Sequence, residues 1–420
     1  MILRELKRSS RDDKVNRMTY DEYKKMNLSI NMERGWPSEE QLELSMPMLD
    51  TVTSHTDLVR EVDYRAYSGT AGIQPLKEIF AEVLDVTPDE IYIGGTMSTS
   101  IMYDVVNKAV VFGLAGHKPW KDLDKVSFIC PSPGYEKHFK ICETFGINMI
   151  PVDIEDDGPD MDAVEKLASS DDSIKGIWCV PLYSNPTGAI YSDEKISRLA
   201  HMNTAADDFT IFWDNAYVIH HLTDEEPVIK NIIRECEKAG CPDRVFEFTS
   251  TSKITFPGGG VGVCASSRDN IEWLTKNSLL QLKSGDKINQ YRHVLFFKDV
   301  NGLKDHMRRL AKIIYPKFKI VDEVLTKELS GTGLAKWVLP KGGYFINVEL
   351  TGVSATKVWT LCKEAGVRIT PAGSTFPYGK DKKDAFIRLA PTYCPEEELR
   401  QAMLVFAAAI KKAAGTEQTS

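Results

Sequence analysis

Long apolar runs are missing from this chain: none approaches the ~20 residues of a membrane-spanning helix, so no membrane role is expected. The basic stretch MILRELKRSSRDDK is not followed by an apolar run either, which argues against a secretory signal. Positive charge is in deficit, with 52 Lys+Arg against 60 Asp+Glu, a formal net charge of -8 and no long basic run. Neither nucleic acid nor an anionic membrane surface is therefore expected as a partner. Cysteine is sparse and scattered. Cys130, Cys142, Cys179, Cys236, Cys241, Cys264, Cys362 and Cys394 fall mostly in apolar stretches such as IWCV and VGVCA, which suits buried free thiols in a reducing cytoplasm. Cys236 lies near Cys241 and His220 adjoins His221, but neither pair has the spaced partners of a metal site, so no metal is expected.

What is present is globular. A chain of 420 residues, 42% hydrophobic and 27% charged, is long enough for a substantial core and a second, smaller lobe. Between 125 and 265, apolar runs alternate with helical patterns: KVSFICPSPGY, GINMIPVDI, IKGIWCVPLYSNPTG, FTIFWDNAYVI and RVFEFTSTS, with helices from about Met161, from about Asp193 and near 227 to 239. That rhythm predicts an α/β fold with a mainly parallel sheet sandwiched by helices. The first 50 residues read as an arm or loop turning at Gly35, which either lines a pocket or crosses the surface. Beyond about 305, HMRRLAKIIYPKFKIVDEVL leads into a separate group of strands and helices, and GTEQTS reads as a disordered tail.

Ligands in such sheets sit at the C-terminal ends of the strands. Tyr135, Asn185, Asp214, Tyr217 and Lys253 all fall there. Each has an ordinary alternative: Asn185-Pro186-Thr187-Gly188 is turn chemistry, Asp214 can cap a helix, the tyrosines can pack, and a lysine in a polar loop can be solvated. Their coincidence at one sheet end fits a bound planar cofactor. In FTSTSKITFPGGGVGV, three hydroxyls precede Lys253 and a glycine run follows. A lysine enclosed in such a place can lose its proton and attack a carbonyl. In IYIGGTMSTSIMYDVV, a strand, two glycines and a hydroxyl cluster open a helix, which leaves free amides that suit a phosphate, although many such caps hold no anion.

SNPTG at 184–188, DNAY at 214–217, STSK at 250–253 and FIRLAPTY at 386–393 resemble, in order and spacing, the motifs of pyridoxal-phosphate-dependent aminotransferases of fold type I. The resemblance covers essentially the whole chain. ERGWPSEEQL, GGTMSTS and SKITFPGGGVG look most like the bacterial type Ic aspartate aminotransferases, which resemble the aminotransferase part of certain transcription regulators. It implies a large pyridoxal-phosphate domain over 51–305, a small C-terminal α/β domain over 306–414, an arm over 1–50 that joins the small domain, and a tail over 415–420. Lys253 would hold the cofactor covalently and shuttle a proton at substrate Cα. Asp214 would pair with the pyridinium nitrogen, Asn185 and Tyr217 would hydrogen-bond the phenolate oxygen, and Tyr135 would stack on the ring. Gly95, Thr96, Met97 and Ser98, with Ser250 and Ser252, would cradle the phosphate. Tyr67 would reach the phosphate of a neighbouring subunit, which makes a homodimer the expected active unit. Arg388, with Asn185 and Gly35, would bind substrate, the arginine clamping its α-carboxylate.

The substrates implied are an amino acid, aspartate first, and a 2-oxo acid. Alternatives are aromatic or aminoadipate transamination, lyase chemistry, or a ligand sensor without catalysis; the last is disfavoured because no winged-helix segment precedes the arm. One departure stands out. The phosphate-binding arginine that much of the family has after the lysine is replaced within Pro257-Gly258-Gly259-Gly260-Val261-Gly262, and Lys283, Lys287 or Arg292 is expected to supply the cation.

Overall fold

Thr210–Asp214 and Val245–Ser250 are buried at every position, so each needs cover on both faces, as the strands of parallel sheets do. The computed structural model describes residues 18–416; the basic N-terminal stretch and the last four residues of the expected tail lie outside them. The central sheet has eight strands, in the order Ile91–Ile93, Gly262–Ser266, Val245–Ser250, Thr210–Asp214, Ile174–Cys179, Ser127–Ser132, Asn148–Glu155 and Gly158–Pro159. The five from Val245–Ser250 to Asn148–Glu155 pair in parallel. Gly262–Ser266 and Gly158–Pro159 are antiparallel additions. The α/β expectation holds.

Alternation along each strand divides the core. Phe128, Phe212, Phe246 and Phe248 join one cluster with Trp178, whereas Ile129, Ile211, Trp213 and Val245 join the other. Asp214 shares the parity of Phe212 and so continues the aromatic face. The crossover helices start at capped positions: Asp160, Ser192 and Asn231 accept from the amides of Ala163, Lys195 and Arg234. The last of these is shorter than expected, Ile232–Lys238. Pro227 cannot donate to a helical ladder and Asn231 fixes the start, so 224–231 runs as loop.

Helix Val300–Leu329 begins earlier than the pattern suggested, because Asp299 caps it on Gly302 N. It leads into a smaller C-terminal domain built on an antiparallel sheet of Ala335–Trp337, Ile346–Leu350 and Phe386–Leu389. The arm is more structured than a loop. It forms helices Tyr20–Lys25 and Glu39–Glu43, and Ile30–Met32 pairs in parallel with Val367–Ile369. All eight cysteines are free. Among the described residues no helix is long and apolar enough to cross a membrane.

Candidate active site

Four parallel strands, Ser127–Ser132, Ile174–Cys179, Thr210–Asp214 and Val245–Ser250, end on one side of the sheet. The segments that follow bring the expected residues together. At the end of its strand, Asp214 Oδ2 is hydrogen-bonded to His138 Nε2 at 2.9 Å, and the His138 ring stacks on Trp178 at 4.3 Å. Asp214 Oδ1 is buried and has no hydrogen-bond partner among the described residues. A buried carboxylate oxygen left so is costly. It fits the protonated ring nitrogen of pyridoxal phosphate.

Lys253 follows the neighbouring strand. Its amine donates to Tyr217 Oη at 3.2 Å and lies 4.6 Å from the Tyr217 ring centre and 5.7 Å from that of Tyr344. The residue as a whole is half-buried, and its amine lies beside both rings. Burial pulls its pKa from 10.5 down to about 8; the Asp214 charge opposes this and the Arg388 charge adds to it. The neutral, nucleophilic amine is thus accessible near neutral pH. Tyr344 Oη donates to Lys253 O and accepts from Gln41 Nε2, so the arm braces the lysine segment.

The two glycine loops lie directly on each other. Gly94 N donates to Gly262 O and Gly262 N to Gly95 O. A Cβ at Gly262 would stand 2.7 Å from Met97 O, and one at Gly260 2.8 Å from Thr96 O and 3.1 Å from Ser252 N. Gly95, at φ 65°, and Thr96 and Met97 lead into helix Ser98–Phe112, whose start has no side-chain cap, Ser100 N turning back to Met97 O. Ser250 Oγ and Ser252 Oγ are 2.9 Å apart beside them. An uncapped helix start and paired hydroxyls make a cradle that fits a phosphate.

The expected substitute cations fare unequally. Lys287 is corrected: its amine is spent on Ala66 O, Ser68 O and Ser284 Oγ at 2.6 to 2.8 Å, so it fastens the loop that carries Tyr67. Lys283 lies 6.0 Å over the Tyr67 ring. Arg292 donates to Asn289 Oδ1, and Asn289 Nδ2 donates to Gly260 O, so it approaches the cradle only through a neighbour. Tyr67 is 83% exposed.

Arg388 projects from Phe386–Leu389 and is 3% exposed. Its Nε donates to Thr370 Oγ1 at 3.3 Å and its NH1 reaches Asn185 Oδ1 at 3.3 Å. NH1 and NH2 grip the two oxygens of Glu136 at 2.5 and 3.1 Å. Burial raises the Glu136 carboxyl, but the charge and hydrogen bonds of Arg388 outweigh it and hold the group below its ordinary value. Phe345 lies 4.5 Å under the guanidinium. Gly35 packs on that ring, where a Cβ would come within 2.7 Å of Phe345 Cζ, so the arm's turn lines the site. Tyr135 stands edge-on to His138 at 5.1 Å, and burial raises its phenol.

Glu136, His138 and Gln41 were not singled out from the sequence. The signal for His138 was its place three residues after Tyr135 on a helix that packs inward; for Gln41 there was none. His220 and His221 diverge, the first ring lying beside Tyr217 and Tyr344 and the second bonded to Tyr183 Oη. No group of three or more metal-ligating side chains occurs among the described residues. A cavity of about 920 Å³ is lined by Trp213, Asn215, Glu247 and helix Val300–Leu329 and contains none of Lys253, Asp214 and Arg388; Trp213 and Glu247 have the opposite strand parity to Asp214.

Comparison with known proteins agrees with this chemistry. Residues 8–420 match the family described as aspartate amino-transferase. The chain is 41% identical over 386 residues to aspartate aminotransferase of Corynebacterium glutamicum, covering 91% of this chain and 89% of that one. A crystal structure of an aspartate transaminase from Corynebacterium glutamicum superposes with a TM-score of 0.91 at 41% identity, covering 94% of this chain and 93% of that one. The fold alone is shared with α-aminoadipate aminotransferase of Thermus thermophilus, in complex with N-(5'-phosphopyridoxyl)-L-leucine, at a TM-score of 0.76 and 21% identity over 92% of this chain and 93% of that one. The chain belongs to the aspartate aminotransferase family and is a pyridoxal-phosphate-dependent aminotransferase.

Proposed function

We propose that this enzyme exchanges an amino group between L-aspartate and 2-oxoglutarate, yielding oxaloacetate and L-glutamate in a ping-pong cycle. The observation that carries the reading is the arrangement of Lys253, Asp214 and Arg388 around one space, with a two-pronged carboxylate grip on Arg388. Aspartate is chosen because the Corynebacterium glutamicum relative bears that name at 41% identity.

Pyridoxal phosphate, when bound, supplies an electron sink that lets the Cα–H bond of an amino acid break. Lys253 would hold the cofactor through its amine and, once freed by substrate, hold and return the proton at Cα. Asp214 Oδ1 would accept the ring-nitrogen hydrogen bond while His138 fixes Oδ2. Asn185 and Tyr217 would bond the phenolate oxygen, and Tyr135 would face the ring. Gly95, Thr96, Met97, Ser98, Ser250 and Ser252 would hold the phosphate, with Tyr67 serving the site of the partner subunit in a homodimer. Arg388 would fix the α-carboxylate beside Gly35 and Asn185, so that the Cα–H bond stands at the lysine. The division at 51–305 and 306–414 belongs to the same reading, as does a cytoplasmic location, which the free cysteines support.

The test pairs two measurements on purified protein: the absorbance band gained with pyridoxal phosphate, and amine transfer from aspartate, aromatic and aminoadipate donors to 2-oxoglutarate. Aspartate is expected to give the highest kcat/KM. A protein that takes up no cofactor, or a loaded one that prefers another donor, overturns the proposal.

A further inference from the structure

Glu136 is unexplained by the roles assigned above. We infer that its carboxylate stands in for the substrate's α-carboxylate on Arg388, and that every amino acid or oxo acid entering the site must displace it. This rests on Arg388 being the α-carboxylate clamp.

The geometry leaves the fork one carboxylate at a time. NH1 and NH2 together face the two oxygens of Glu136, Nε is turned to Thr370, and Phe345 lies against the guanidinium face. A planar guanidinium offers a single such pair of parallel donors along that edge. The two partners differ in access: the Arg388 side chain is 3% exposed, that of Glu136 28%. Arg388 is therefore fixed, while Glu136 has water on one side. It is the first residue of helix Glu136–Thr144, where a freed carboxylate meets solvent and the favourable end of the helix dipole.

The exchange balances in charge. One carboxylate leaves the buried guanidinium as another arrives, so Arg388 is at no stage left as a buried unpaired cation. Glu136 thereby keeps the clamp in its binding rotamer between turnovers, at the expense of affinity. If Glu136 occupies the clamp roughly 70 to 90% of the time, apparent substrate affinity is reduced roughly threefold to tenfold.

The experiment uses the holoenzyme and its Glu136→Gln and Glu136→Ala variants. It measures kcat and KM for aspartate and 2-oxoglutarate, and the Kd of succinate, a non-transferable dicarboxylate, from its effect on the cofactor absorbance band. KM and the succinate Kd should fall roughly threefold to tenfold in Glu136→Ala, and by less in Glu136→Gln, whose amide oxygen still accepts one hydrogen bond. KM should move more than kcat, a split that general damage to the site does not give. If KM and the succinate Kd rise or stay constant in both variants, Glu136 only orients Arg388 and the inference is wrong. If the wild-type holoenzyme neither transfers amine nor responds to succinate, the functional reading itself fails and takes the inference with it.

Discussion

Filling the space at Gly260 decides why the family's phosphate-binding cation is absent here. A Cβ at this position would lie 2.8 Å from Thr96 O and 3.1 Å from both the N and Cα of Ser252. All of these atoms are backbone, in the two loops proposed to hold the phosphate from opposite sides, so no side chain can swing away to make room. The loops must part by about half an ångström. Overpacking of this kind costs about 1–3 kcal/mol, which corresponds to about fivefold to 150-fold in affinity if it falls on the cradle. Gly260→Ala is therefore expected to weaken pyridoxal phosphate binding by at least fivefold. Gly260→Arg should not rescue it, because the longer side chain starts from the same obstructed Cβ. The assay is titration of apoprotein with pyridoxal phosphate, followed by the absorbance band, with apoprotein melting temperatures to separate loss of the cradle from loss of the fold. A Gly260→Ala protein that binds within twofold of wild type, or a Gly260→Arg protein that binds more tightly, would refute the steric account.

Three further outcomes are expected. Because only the neutral amine attacks and the Lys253 pKa is about 8, cofactor capture by apoprotein should rise about tenfold per pH unit below 8 and level off above it; a flat profile between pH 6 and 9 contradicts this. The buried Glu247 carboxyl is pushed by burial from 4.5 up to about 7, opposed by a hydrogen bond from Asn215. A raised carboxyl adds full stability below its unfolded pKa and loses it as pH rises through the folded one, so Glu247→Gln should gain on wild type by ~2–3 kcal/mol between pH 5 and pH 8. Urea melts at one protein concentration read this, and a pH-independent difference rules it out. Tyr67→Phe should weaken cofactor retention by ~fivefold, the worth of one hydrogen bond, in a protein that sediments as a dimer; unchanged retention removes Tyr67 from the partner's site.

Local order was legible in the sequence because it depends on near neighbours. The hydroxyls and glycines around Ser98 marked a helix start, and the alternation of strands and helices placed Tyr135, Asn185, Asp214, Tyr217 and Lys253 at one end of a parallel sheet. Where local signals competed they misled: the helix expected near 227 starts only at Ile232, since Pro227 and the Asn231 cap override the apolar pattern. Partnership was decided by the tertiary structure alone. Lys287 looked like a free cation until the carbonyls of Ala66 and Ser68 were seen to consume its donors. The stretch 257–262 looked like the place of a lost arginine until Thr96 and Ser252 were seen to leave no room for a side chain at Gly260. Glu136 and Arg388 stand 252 positions apart. Residue type and spacing fix which groups the chain offers at the sheet's end, but which donor meets which acceptor depends on packing between segments remote in sequence.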